Sequence, residues 1–214
     1  MTMSPHISSV SRSLNYHLRN IGRIRRYIDT DTCNHTVRSL VISRLDYSNS
    51  LLSGITRKDM QKLQTIQNRA ARLIFGASRK VHTSPLLKQL HWLPVPERIQ
   101  FKTLTLIFKA FNGEAPIYIQ DLLTPHSYTE NTRYLRSHAD EYTLVQNRTH
   151  TSHGDKAFSN SGPLLWNELP NTLRSSHNTK TFKSLLKSHL FPNWFVIFPA
   201  LIIYQYIVQR LDQF

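Results

Sequence analysis

Residues 9–29, SVSRSLNYHLRNIGRIRRYID, repeat their apolar side chains at a helical period. At about 100° per residue, Val10, Leu14, Leu18, Ile21, Ile24 and Ile28 gather on one side, and Arg12, Arg19, Arg23 and Arg26 on the other. A strand would need alternation every second residue, so this segment is predicted to be an amphipathic helix with a guanidinium ridge. Arg25 falls in the apolar sector, against the pattern, and Gly22 weakens the helix slightly. The apolar stripe of such a helix must be buried against another element.

Further segments with the same period supply that element. A second helix is predicted from Asp31 or Thr32 to about Asn49, with Cys33, Val37, Leu40, Val41 and Leu45 as its buried stripe. Ser53 and Gly54 then turn the chain. Thr56 and Asp59 form a short capping box for a third helix, whose core face is Met60, Leu63, Ile66, Ala70, Leu73 and Ile74. Gly76 stands where a helix ends in the left-handed conformation. Ser84-Pro85 opens a short helix ending near His91, since proline suits the first helical position. Pro96-Glu97 opens a longer one that buries Ile99, Leu104, Ile107, Phe108 and Phe111 and stops at Gly113. Pro116 starts one or two more turns, to about Leu123. Residues 124–151 lose the pattern, apart from a short strand predicted at 142–145. Helix resumes from Asp155 around Phe158 and 164–169, with Trp166, and again over 181–191.

Only 6 glycines occur among 214 residues, which suits long helices better than a glycine-turned sandwich or barrel. The predicted class is mainly α: an irregular helical bundle whose loop-rich segment has room for one short β-hairpin or strand pair. The divisions are a basic helical region (1–123), a loop-rich linker (124–154), a C-terminal helical segment (155–191) and an apolar tail (192–214). The tail is apolar for about 15 residues, WFVIFPALIIYQYIV, with Pro199 inside it. That run spans about 22 Å as a helix, short of the ~30 Å of a bilayer core, so a membrane anchor is not the expectation.

Charge narrows the function. Lys plus Arg total 27 against 13 acidic residues, a net charge of +14. Such an excess favours a polyanion, because each phosphate contact releases counterions. The candidate contacts are Arg12, Arg19, Arg23 and Arg26 on the first helix and Arg57, Lys58, Lys62, Arg69 and Arg72 on the third. The alternative is that both faces are merely solvated. Tyr16, Tyr27, Phe75, His91, Trp92, Phe101 and Tyr134 lie among the basic residues and could stack on bases, although Trp92 and Phe101 read better as core anchors. Cys33 is the sole cysteine, which excludes an internal disulfide and a zinc site built on several thiolates. With no secretory segment at the N-terminus, cytoplasm or nucleus is expected.

Catalytic chemistry is not indicated. Phosphoryl transfer on nucleic acid draws on carboxylates converging on metal ions. Here Asp29, Asp31, Asp46, Asp59, Glu97, Glu114 and Asp121 are scattered, mostly at helix ends or first turns, where a carboxylate complements the helix dipole. Asp140-Glu141 is an adjacent pair in a loop-like stretch. His150, His153 and Asp155 have a ligand-like spacing without a third strong ligand, and read better as exposed residues. No glycine-rich phosphate loop and no GxSxG elbow occur. No catalytic residue, metal ligand or cofactor is predicted.

The order of segments carries one more signal. HISSVSRSLNYHLRNIGRIRRYID, SLVISRLDYSNSLLSGI, KLQTIQNRAARLIFG and LLKQLHWLPVPERIQFKTLTLIFKAFNGEAPIYIQDLL follow one another, and GDKAFSNSGPLLWNELP and TFKSLLKSHLF come later. This series resembles the region behind the reverse transcriptase domain of LINE-type (non-LTR) retrotransposon polyproteins, of the jockey-like and chicken-repeat-like lineages. The resemblance covers about residues 5–191 and excludes the tail. Ser48 departs from the cysteine the family commonly carries in LDYCNSLL, and the family's aromatic-Ala-Asp-Asp motif has no counterpart. The resemblance implies that residues 1–123 are a thumb-like, post-palm region gripping template and primer. It also implies a non-catalytic fragment of an RNA-directed DNA polymerase polyprotein, with RNA or DNA bound independently of sequence. A palm domain, or a second copy of the chain, is the implied protein partner.

Overall fold

The computed structural model describes residues 3–126 and 142–191. Among these the architecture is mainly α, as the helical periods predict. Helix α1 spans Ser4–Ile24. It begins before residue 9 because Pro5 occupies its first turn, and Ile7 adds a buried side chain ahead of Leu14, Leu18 and Ile21. A 3₁₀ turn, Arg25–Tyr27, closes it. The stripe therefore ends at Ile21, and Ile24, expected on the apolar side, is exposed.

Asp29 caps α2 (Thr30–Val37), its carboxylate accepting from the backbone N–H of Asp31 and Thr32. Hydrogen bonds from Thr32, side chain first, hold this carboxyl below its ordinary pKa. A π-helical stretch, Arg38–Ile42, joins α2 to α3 (Ser43–Asp46), so the predicted second helix exists but with a widened middle. The wide turn lengthens the local repeat. Val37, Val41 and Leu45 are buried at intervals of four, while Leu40, expected in the stripe, is turned outward. The helix stops at Asp46, earlier than predicted; Ser48 then takes a left-handed conformation (φ 50°) before a 3₁₀ turn, Asn49–Leu52.

Helix α4 (Arg57–Phe75) follows its sequence signals closely. Thr56 Oγ1 accepts from the Asp59 N–H, and Gly76, at φ 60°, donates to the carbonyls of Arg72 and Leu73. Helix α5 is Thr83–Gln89 and α6 is Val95–Phe111. The remaining elements are α7 (Ile117–Gln120), α8 (Ser152–Asp155), α9 (Phe158–Asn167), α10 (Asn171–Arg174) and α11 (Thr179–Leu190).

Two apolar clusters hold these elements together, and α6 serves both. Its Val95 and Ile99 join Trp92 against the stripes of α1, α2, α3 and α4. Its Leu104, Ile107 and Phe108 pack with Trp166, Phe182 and Leu186. Phe108 and Phe182 stack at 4.2 Å, and Trp166 lies over Phe111 at 5.3 Å. Trp92 is buried, as expected, and Phe101 is half-buried.

The predicted strand at 142–145 is not part of a hairpin among the described residues. Its one ladder contact is an isolated antiparallel bridge between Pro125 and Leu144. Residues 124–126 pair with it along one edge, the His126 N–H donating to the Thr143 carbonyl at 3.1 Å and the Val145 N–H to the Thr124 carbonyl at 2.8 Å, and side chains of α9 cover the other edge. Asn167 accepts from the Leu144 N–H at 3.0 Å and donates to the Leu144 carbonyl at 2.8 Å, while Trp166 Nε1 donates to the Tyr142 carbonyl at 2.7 Å. Backbone pairing on one edge and α9 side chains on the other together satisfy the segment. Asp140-Glu141, Tyr134 and the tail 192–214 lie outside the described residues. No described helix is long and apolar enough to cross a membrane.

Candidate nucleic-acid interface

Helices α1 and α4 carry the sequence-predicted cations, and they lie side by side. Ser4 Oγ donates to Asp59 Oδ2 at 2.6 Å, near the start of both helices. Arg69 Nη1 donates to Asn15 Oδ1 at 2.5 Å, further along. Arg25 Nε donates to the Leu73 carbonyl at 3.0 Å and its Nη2 to the Ile74 carbonyl at 2.8 Å, at the far ends. Start meets start and end meets end, so the two helices run parallel.

A shallow groove follows their seam. Toward the N-terminal end it is lined by Ser11 and Asn15 from α1 and by Lys58, Gln61, Lys62, Thr65 and Arg69 from α4. Toward the C-terminal end it continues past Gly22, Arg25, Arg72 and Gly76 to Arg79. Gly22 fits this seam without being required by it: a Cβ there would meet Leu73 Cδ1 at 3.8 Å, an ordinary contact. Helix α1 contains no Asp or Glu, and α4 contains Asp59 alone. Basic side chains therefore meet almost no opposing charge along the seam.

The candidate residues divide into three groups. Arg12, Arg19, Arg23 and Arg26 are exposed. On the helical wheel Arg12, Arg19 and Arg23 fall within about 40° of one another and about 60–100° round from the middle of the line of Ser11, Asn15 and Gly22. They form the outer bank of the groove. Lys58, Lys62, Arg69 and Arg72 line the groove itself. Arg57 does not: it lies roughly 100° round α4 from Lys58 and is missing from the lining.

Within the groove several cations already have structural duties. Lys62 Nζ pairs with Asp59 Oδ1 at 2.8 Å. Arg72 fixes the segment after α4 by donating to the Val81 carbonyl from Nε at 3.2 Å and from Nη2 at 3.1 Å. Arg69 bridges to Asn15. Lys58 and the exposed arginines of α1 are the cations most available to an external anion. Arg79 also lines the groove, beyond the residues the helical pattern picks out; the basic pair Arg79-Lys80 shortly after Gly76 is the sequence signal for it.

Asp59 is the exception in this basic wall. Its side chain is nearly buried, and it accepts from Lys62, Ser4 and Thr56. These hydrogen bonds, with Lys62 first and Ser4 next, hold its pKa at about 2. It anchors the start of α1 to the start of α4 and offers no free oxygen pair for a metal.

Three further acids are engaged in the same way. Asp46 pairs with Arg98, Glu114 accepts from Thr179 at 2.9 Å and lies 3.9 Å from Lys109, and Asp155 accepts from Thr149. No group of three His, Cys, Asp or Glu side chains converges among the described residues, and His150, His153 and Asp155 do not form one. Cys33 is fully buried, and burial pushes its thiol pKa up.

Neither a protein-family model, nor a curated protein, nor a solved structure matches this chain.

Proposed function

We propose that this chain is a non-catalytic, nucleic-acid-binding segment of a retrotransposon reverse transcriptase polyprotein. It grips RNA or DNA by the phosphate backbone, independently of sequence. The observation that carries the binding reading is the basic seam between the parallel helices α1 and α4, with Lys58, Lys62, Arg69 and Arg72 in the groove and Arg12, Arg19 and Arg23 on its bank. Phosphates spaced along a strand suit a line of cations better than a single charged pocket would. The order of sequence motifs supports the retrotransposon part of the reading. The engagement of Asp46, Asp59, Glu114 and Asp155 in ion pairs and hydrogen bonds supports the non-catalytic part.

The test is a salt titration of RNA and DNA affinity by fluorescence anisotropy. Binding should be tight at low salt, and the logarithm of the association constant should fall linearly with the logarithm of salt concentration. Affinity that does not respond to salt overturns the reading.

A second reading has its own observation. Tyr47 and Leu51 are 82% and 69% exposed beside a largely apolar recess floored by Ile7, Leu45 and Leu63. On that reading the chain is an interaction remnant that packs against a palm domain or another copy of itself. It then self-associates equally with and without RNA on a sizing column and shows no salt-dependent binding.

A further inference from the structure

The aromatic side chains interleaved with the basic residues separate once the chain is folded. Trp92 is buried and Phe75 and Phe101 are half-buried, so their rings are committed to the interior. Tyr16 and Tyr27 are 60% and 72% exposed. Both lie on the arginine bank. Tyr16 shares a wheel arc of about 60° with Arg12, Arg19 and Arg23. Tyr27 closes the 3₁₀ turn, and the Arg26 guanidinium sits 4.7 Å from its ring centre. The Tyr16 ring is braced edge-on by His17 at 5.6 Å.

Two exposed rings along a line of guanidinium groups have a specific use. A duplex hides the faces of its bases in its own stack and offers outward-facing rings only sugar and phosphate. A single strand offers base faces as well as phosphates, and proteins that bind it combine a basic track with aromatic platforms. Tyr16 and Tyr27 are about 17 Å apart along the helix axis, a distance that one strand of a few nucleotides spans. We propose that the ligand of this bank is single-stranded nucleic acid, with Tyr16 and Tyr27 stacking on its bases while Arg12, Arg19, Arg23 and Arg26 hold its phosphates.

This inference rests on the nucleic-acid reading above, and the experiment separates the two. Affinities are measured at one low salt concentration and across a salt series for a 15-nucleotide oligo(dT), an oligo(rU), an abasic strand of equal length and a 15-base-pair duplex. The expected result is that oligo(dT) and oligo(rU) bind more tightly than the abasic strand, by about thirtyfold or more for two stacked bases. Replacing both rings (Tyr16→Ala with Tyr27→Ala) should abolish that advantage, bringing oligo(dT) and oligo(rU) to the affinity of the abasic strand. Tyr16→Phe with Tyr27→Phe should retain it. If the abasic strand binds as well as oligo(dT), with a normal salt slope, the stacking proposal falls and the backbone-binding reading stands. Stacking by these two rings is likewise overturned if the double alanine variant keeps the full base-dependent advantage. If no ligand shows salt-dependent binding, both fall.

Discussion

Arg25 reaches from the end of α1 to the end of α4, where its Nη2 donates to the Ile74 carbonyl at 2.8 Å. Its Nε takes the Leu73 carbonyl and its Nη1 the carbonyl of Ile28. The last carbonyls of a helix lack partners within the helix and carry its negative end, so a guanidinium fork there satisfies both needs. This explains the arginine that interrupts the amphipathic pattern of the first helix. Arg25→Ala should lower stability by roughly 2 kcal/mol, as expected for lost hydrogen bonds to a charged group. Arg25→Lys should recover only part of this, since an ammonium does not reproduce the fork. Urea midpoints of the three proteins check both statements.

Asp59 ties the other end of the same helix pair. Its folded pKa of about 2 lies below the ordinary carboxylate value. Its contribution to stability is therefore complete above about pH 4 and is lost as the pH falls from there toward 2. Asp59→Asn should lower the melting temperature at pH 7, and the gap from the parent should narrow below pH 4. Melting curves at pH 7, 4 and 2.5 decide it; a gap that stays constant with pH would assign the effect to packing alone.

Trp166 is the hub of the second cluster, between Phe111 and Phe182 and bonded to the Tyr142 carbonyl. Trp166→Phe removes the donor and leaves a small void. The cost should be roughly 1–3 kcal/mol. It should also loosen the segment around Leu144, which α9 holds through neighbouring side chains. Limited proteolysis should show faster cleavage near residues 142–148 in the variant than in the parent.

The seam makes a prediction that divides the cations of α4. Replacing Lys58 and Arg69 together by alanine should reduce the magnitude of the salt slope by about one to two, since each phosphate contact contributes about 0.7–0.9. Arg57→Ala should leave the slope unchanged, because Arg57 stands outside the groove. An equal loss from Arg57→Ala would move the binding surface to another face of α4.

Much of this fold is written locally. The stripes of α1 and α4, the Thr56 cap and the Gly76 stop all act within a few residues, so the sequence states them directly. The mainly α class follows from the same signals. Where sequence and structure part, the cause is a contact or a geometry that no local pattern encodes. Leu40 leaves the stripe because a π-helical turn changes the repeat, and Ile24 because the α-helix gives way to a 3₁₀ turn. The expected strand pairing shrinks to one bridge between Pro125 and Leu144, and the opposite edge of Leu144 is taken by the amide of Asn167, from more than twenty residues away.

The segregation of basic and apolar residues onto opposite helix faces is legible in the chain itself, because it depends only on the 3.6-residue period. So is the dispersal of the acids along the chain. The parallel arrangement of α1 and α4, the choice of cations that share their seam, the separate position of Arg57 and the clamp at Arg25 emerge only when the helices pack. Those relations join residues about fifty positions apart. They are set by which apolar stripes bury each other best and which polar groups must then be satisfied across the joint.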